Sequence, residues 1–438
     1  MSLPQTDNPN LPEGPTEPYD LQTTAESFAR LQDWVKHYPD IFALTPEKRK
    51  TPALFVNQPD HLKQILVSNH EAYQKGVGFE RVKMLLGNGI FVSDGPFWRK
   101  QRRMIQPAFA KDIIAKLTGQ MKQANAKLYE QWHELAKQRA VINITDVTNE
   151  LALEIILRVL FSDDLDTIFE QAGGNPFAML TDNSARDLQL AVKFRALTKL
   201  VGRIIQRRRD AKPERLDFLS IFMDAKDKQT GEPMTDRELI DEVMTLIVAG
   251  SETSATTLNW VWYSLAQHPE VEARLHREVD NASYDHIPGF EHIIELGYTR
   301  QVIEEVLRLY PPGWLFSRKA IKQDKLGEYD VMPGTDIFIS PYFLHRHKAY
   351  WDEPEQFDPE RFDPAAIKQR HKFCFIPFSA GPRRCIGDFF GIVESQLHFG
   401  LMARHFRMEF VNDNSVELAP EVNLRTKYPI NMRILARS

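Results

Sequence analysis

The sequence predicts a mainly α-helical chain with a smaller β-rich lobe. Three observations carry this. Helical periodicity dominates the first three quarters of the chain. Within it, Asp236 to Gln267 holds no proline, enough for a helix roughly 48 Å long. Near Tyr310 the composition changes, and YPPGWLF followed by GEYDVMPGTDIFIS brings the turn signals and β-branched residues of small hairpins.

Taken in order, the opening MSLPQTDNPNLPEGPTEPYD is polar and rich in Pro and Gly, which predicts a flexible arm over residues 1–20. It has neither a positive n-region nor an apolar h-region, so no signal peptide is expected. Residues 21–438 are read as a single domain, with β-sheet regions near 51–57, 319–345 and 408–436. ALFVNQPDHLKQIL reads as strand, turn and helix, and helical periodicity follows over Ala110–Arg139 and Thr145–Leu160. For the long helix, Thr235 with Glu238 fits a capping box and Pro269 supplies the stop. Its middle, VMTLIVAG, is apolar all round, which predicts a helix threaded through the core. A last helix is expected to begin near Gly387.

The bulk numbers narrow the function. Among 438 residues, 42% apolar is ample for a large core, and a formal charge of -5 argues against a nucleic-acid binder. No apolar run approaches the ~18 residues of a membrane span. Only Cys374 and Cys385 are present, too few for a disulfide framework, which suits a soluble, cytoplasmic protein. HRH at 345–347 is the one tight histidine cluster and brings no carboxylate partner, so no zinc site is expected. Neither a Gly-x-Gly-x-x-Gly nor a Walker loop occurs, hence no bound flavin or nucleotide domain.

The chemistry concentrates in FIPFSAGPRRCIGDFF. Gly381 and Pro382 favour a tight turn, Arg383 and Arg384 bring positive charge, and a helix starts just beyond Cys385. Backbone N–H groups and the positive dipole end favour thiolate there, the form that binds metals. Taken alone, Cys385 reads equally well as a buried cysteine under a helix. Its setting is Phe-x-x-Gly-x-Arg-x-Cys-x-Gly, carried by Phe378, Gly381, Arg383, Cys385 and Gly387. This resembles the haem-binding loop of the cytochrome P450 superfamily, in its soluble bacterial form. The resemblance implies the cytochrome P450 fold, haem b (heme, iron protoporphyrin IX) with Cys385 as its axial ligand, and Arg383 pairing with a haem propionate.

Three further motifs follow in the family's order. In EEVLRLYPP, Glu305 and Arg308 share a helix face and, with Arg361 of FDPERF, resemble the family's structural triad. AGSETS resembles its oxygen-activation segment, which implies that Thr253 and Glu252 handle protons and that Ala249 and Gly250 lie against the cofactor. Trp98 and Arg102, one turn apart, and Arg318 match its propionate-binding donors. Arg99, Lys100 and Arg103 are expected to face solvent. Two departures are small: Gly391 stands where alanine is usual, and the acid before Thr253 is Glu.

The implied activity is that of a monooxygenase inserting one atom of O2 into a C–H bond of a hydrophobic substrate, a fatty acid or a terpenoid such as a carotenoid. Substrate-facing segments are expected at 75–92, 176–197, 246–253, 313–316 and 423–428, with Leu246, Ala249, Leu315 and Phe316 as contacts. Electrons would come from an external ferredoxin or flavodoxin and its NAD(P)H-dependent reductase. Lys368, Arg370, Lys372, Arg383 and Arg384, with no acid between Pro364 and Gly387, could form a basic docking face. Two alternatives stay open: a peroxide-driven peroxygenase or isomerase of the same fold, and a non-enzymatic haem sensor.

Overall fold

A computed structural model of the chain describes residues 10–48, 51–180, 189–212, 214–284, 287–412 and 415–437. The chain divides into two compact units, Met1–Glu80 with Leu307–Cys385 and Leu418–Arg425, and Arg81–Val306 with Ile386–Glu417 and Thr426–Ser438.

The first unit is built on a five-stranded sheet in the order Ile41–Leu44, Ala53–Val56, Asp336–Ile339, Phe316–Ala320, Tyr73–Lys75. Its middle pair, ALFV and DIFI, is parallel, with Ala53 opposite Asp336, and every residue of both strands is buried. Such a pair, covered on both faces, has no polar side to alternate with, hence the near-continuous apolar run. The period of two still sorts its side chains. Leu54, Val56, Ile337 and Ile339 join an aliphatic core with Leu66 and Ile376, whereas Phe55 and Phe338 join an aromatic one with Phe28, Phe42 and Trp314. The aliphatic face therefore backs the segment that leads to Cys385.

Of the arm expected over 1–20, residues 1–9 lie outside the described residues. The following ones are tied down: the Asn10 amide donates to Asp330 Oδ2 and the Asn10 carbonyl accepts the Asp330 amide, the Ala43 amide donates to Glu13 O, and the Tyr19 amide donates to Thr45 O. The helix Ala25–His37, capped by Thr24, follows.

The second unit is helical around Asp236–Gln267. The helix has the predicted bounds, with both halves of the Thr235–Glu238 capping box formed. It packs along Ile144–Phe161, Gln189–Ala211 and Asp388–His405. Most of its residues are buried, Asp241–Ile247 without a break, as an all-round apolar stretch requires. A three-stranded antiparallel sheet, with Asn431–Ala436 between Val141–Asn143 and Phe406–Phe410, closes this unit.

Candidate active site

In the first unit, Ile376–Cys385 is a tightly folded loop. The Ser379 amide donates to Ile376 O at 3.0 Å, the Arg384 amide to Gly381 O at 3.0 Å, and the Cys385 amide to Phe378 O at 2.9 Å. Ser379 and Gly381 both have positive φ, 59° and 68°. At 381 glycine is obligatory, because a Cβ would run into the carbonyl oxygen of Leu66. Leu66 belongs to a π-helical turn, Gln64–Ser68, anchored outside by the Gln64 amide on Asp324 Oδ1 (2.9 Å) and Lys325 O (2.6 Å). Cys385 is exposed and stands two residues before Gly387, the N-cap of Asp388–His405. Cys374 has the opposite setting: it is fully buried, and burial pushes its thiol up to about 11. Of the two sulfurs, Cys385 is the one available to a metal.

Arg318 is 6% exposed on its strand, bonded to Ser317 O and lying over Phe316. Leu315 is buried and Phe316 partly so. Arg308 is fully buried; its guanidinium gathers the carbonyls of His345 (3.0 Å), Pro354 (2.6 Å) and Gln356 (2.9 Å). Arg361 donates to Glu353 O at 2.9 Å. Glu305, one turn before Arg308 on Gly297–Leu309, is counted with the second unit and is likewise without exposed surface. Arg370 leaves the expected docking set, because its guanidinium stacks over Trp351 (4.3 Å) and Phe362 (4.7 Å) and donates to Arg361 O. Lys368, Lys372 and Arg384 are exposed, and Arg383 is half-buried.

In the second unit, Ala249 is the single exposed residue between Glu238 and Ala266 of the central helix. Around it the hydroxyls turn inward. Ser251 Oγ donates to Ile247 O (2.7 Å), Thr253 Oγ1 to Ala249 O (2.6 Å), Thr256 Oγ1 to Glu252 O (2.8 Å) and Thr257 Oγ1 to Thr253 O (2.9 Å). Each thereby satisfies its own polarity in an apolar setting, and the helix stays α-helical throughout. Glu252 and Thr253 are only partly buried; Leu246 is buried. Gly250 sits where a Cβ would come within 3.0 Å of Ile156 Cγ1. Trp98 and Arg102 lie one turn apart on Gly95–Ile105, Trp98 buried and Arg102 bonded to Gln106. Two neighbouring cations depart from expectation. Lys100 pairs with Glu238 (2.7 Å) and Arg103 with Asp227 (2.9 Å), so of the three only Arg99 is exposed.

Two buried carboxyls escaped the sequence reading. Glu242, on the central helix, accepts the Ile90 amide at 3.0 Å, and burial raises it to about 8. Glu394, on Asp388–His405, accepts from Ser254 Oγ at 2.6 Å and is likewise pushed up by burial to about 8. The available signal was an acid inside an almost continuous apolar helix, GIVESQLHFGLMA for Glu394. The expected segment 176–197 includes 181–188, which lie outside the described residues.

These residues fit haem. The thiol of Cys385 is accessible and has arginines beside it in the chain. Trp98, Arg102 and Arg318 are donor-only side chains suited to carboxylate acceptors, and Ala249 opens a small apolar spot in an otherwise covered helix. The chain is 34% identical over 366 residues to cyclooctat-9-en-7-ol 5-monooxygenase of Streptomyces melanosporofaciens, covering 80% of this chain and 79% of that protein. It is 30% identical over 452 residues to the Arabidopsis thaliana protein LUTEIN DEFICIENT 5, chloroplastic, covering 96% and 75%. The fold matches the crystal structure of the cytochrome P450DA heme domain with a TM-score of 0.85 at 24% identity, over 98% of both chains. The profile of the Cytochrome P450 family matches residues 19–177 and 175–432, and with it the chain belongs to the cytochrome P450 family, as a haem b monooxygenase that uses O2.

Proposed function

We propose that the protein hydroxylates a hydrophobic terpenoid, carotenoids included, or a fatty acid, with Cys385 as the residue that would hold its haem iron. The observation that carries this is the contrast between the two sulfurs: Cys385 accessible, with its amide fixed on Phe378, and Cys374 buried and held as a neutral thiol. Bound haem supplies the redox chemistry, in which O2, two electrons and two protons convert a C–H bond to C–OH and release water.

The polypeptide does the rest. Arg318, Trp98, Arg102 and Arg383 would hold the carboxylates of the bound haem, and Phe378 and Gly387 would frame the ligand loop. Glu305, Arg308 and Arg361 keep the segment before that loop in place, as the carbonyls gathered by Arg308 support. Ala249 and Gly250 would leave room for the bound haem, while Leu246, Leu315 and Phe316 would present apolar surface to substrate. Thr253, its own hydrogen spent on Ala249 O, accepts and relays protons that Glu252 brings from water. The names of the two relatives refer to a cyclic terpenoid alcohol and to lutein, which supports a substrate of that size and polarity.

Electrons come from an external ferredoxin or flavodoxin with its NAD(P)H-dependent reductase, docking on Lys368, Lys372 and Arg384. Among the described residues no helix is long and apolar enough to cross a membrane. The test is a panel of terpenoids, carotenoids and fatty acids titrated into the ferric protein, followed by turnover with a surrogate reductase. Spin-state shifts and oxygenated products are expected from these compounds, and product from small polar molecules alone would overturn the substrate class. Charge reversal of Lys368 and Lys372 should slow reduction most at low salt.

A further inference from the structure

His345, read from the sequence only as part of an unproductive histidine cluster, has a specific place in the first unit. It is fully buried, and both ring nitrogens are used. Nε2 accepts the Ile376 amide at 2.9 Å, and Nδ1 meets Arg308 O at 3.2 Å. A backbone amide can only donate and a carbonyl can only accept, so the tautomer is fixed: hydrogen on Nδ1, lone pair on Nε2. Arg308 answers by donating to His345 O, so each residue holds the other's carbonyl. The ring is wedged against Phe375, with centroids 5.0 Å apart.

Beyond Ile376 the bonds continue without slack. Ile376 O receives the Ser379 amide, and Phe378 O receives the Cys385 amide. We propose that His345 is a positioning residue for the thiolate, its neutral imidazole acting as a rigid spacer between the end of Gly297–Leu309 and the segment at Ile376 that leads into the Cys385 loop. A protonated ring would turn an N–H toward the Ile376 amide. Burial, with the charges of Arg308, Arg346 and Arg370 around it, holds the imidazole neutral, well below the ordinary histidine range. The inference rests on Cys385 being the haem ligand.

Two amides separate the two bonds. In His345→Gln, the longer side chain places an acceptor near the Nε2 position and keeps the Ile376 amide paired. In His345→Asn, the shorter amide reaches only the Arg308 carbonyl. Both variants, with His345→Leu and Cys385→Ser, are purified with haem and read by the ferrous–CO spectrum and the ferric/ferrous potential, normalised to haem content. His345→Gln should keep the thiolate-type band, whereas His345→Asn and His345→Leu lose most of it to the neutral-thiol type, with substrate affinity unchanged in the haem-loaded fraction. If His345→Leu fails to take up haem, the Gln and Asn pair decides. Equal spectra for Gln and Asn overturn the proposal while Cys385 stands. A Cys385→Ser protein that keeps the wild-type band overturns the ligand assignment, and this inference with it.

Discussion

Ser254 Oγ donates to Glu394 Oε2 at 2.6 Å inside the second unit, to a carboxyl that has almost no exposed surface. Burial lifts it to about 8, so at neutral pH the native chain keeps a proton that the unfolded chain releases. The stabilisation is complete below the unfolded value of about 4.3 and is lost as pH rises through about 8, by several kcal/mol in all. Glu394→Gln keeps the acceptor for Ser254 without the ionisation. Its melting temperature should therefore overtake the wild type's between pH 6 and 9, and parallel thermal melts across that range check this.

His398 sets the opposite limb. Trp262 Nε1 donates to its Nε2 at 2.9 Å, its Nδ1 meets Asn125 Oδ1 at 2.9 Å, and burial pulls the ring down to about 3. The unfolded chain takes up a proton below about 6.5 that the native chain refuses, so this ring's contribution falls as pH drops from there toward about 3. His398→Gln should cost stability at pH 7 yet flatten the acid limb, as urea midpoints at pH 7, 5 and 4 would record.

Two glycines within six residues of Cys385 in the sequence should respond in opposite senses. Gly381→Ala meets both a positive φ and the Leu66 carbonyl, and should cost about 2–3 kcal/mol and lower haem content. Gly391 lies inside Asp388–His405, where a Cβ meets no protein atom within 4 Å. Gly391→Ala should gain up to about 1 kcal/mol of helix propensity with haem retained. Denaturant midpoints and the haem-to-protein absorbance ratio distinguish the two.

Thr253→Ala removes the hydroxyl proposed to relay protons and leaves the helix backbone as it is. Product formed per reducing equivalent should fall by roughly a hundredfold, while the substrate-induced spin shift survives. Measuring product and NAD(P)H together decides this; tight coupling in the variant would count against Thr253 as the relay.

Local chemistry made part of this protein readable. The central helix was legible to the residue because Thr235, Glu238 and Pro269 mark its ends and VMTLIVAG marks its burial. The cysteine motif was legible because tight turns demand glycine at fixed offsets. What the sequence hid depends on partners far along the chain. Lys100 and Arg103 looked like solvent cations because Glu238 and Asp227 lie 138 and 124 residues away. Arg370 looked like a docking charge because the rings it covers come together only in the fold. His345 was counted by its neighbours in sequence, whereas its partners are Arg308 and Ile376.

The unequal pair of sulfurs also gives a practical handle. With Cys374 sealed in the interior, a gentle alkylating reagent has one accessible target, and the bound cofactor would cover it. The fraction of chains that take the label then reports directly how much of a preparation is apoprotein, with no colorimetric assay for iron.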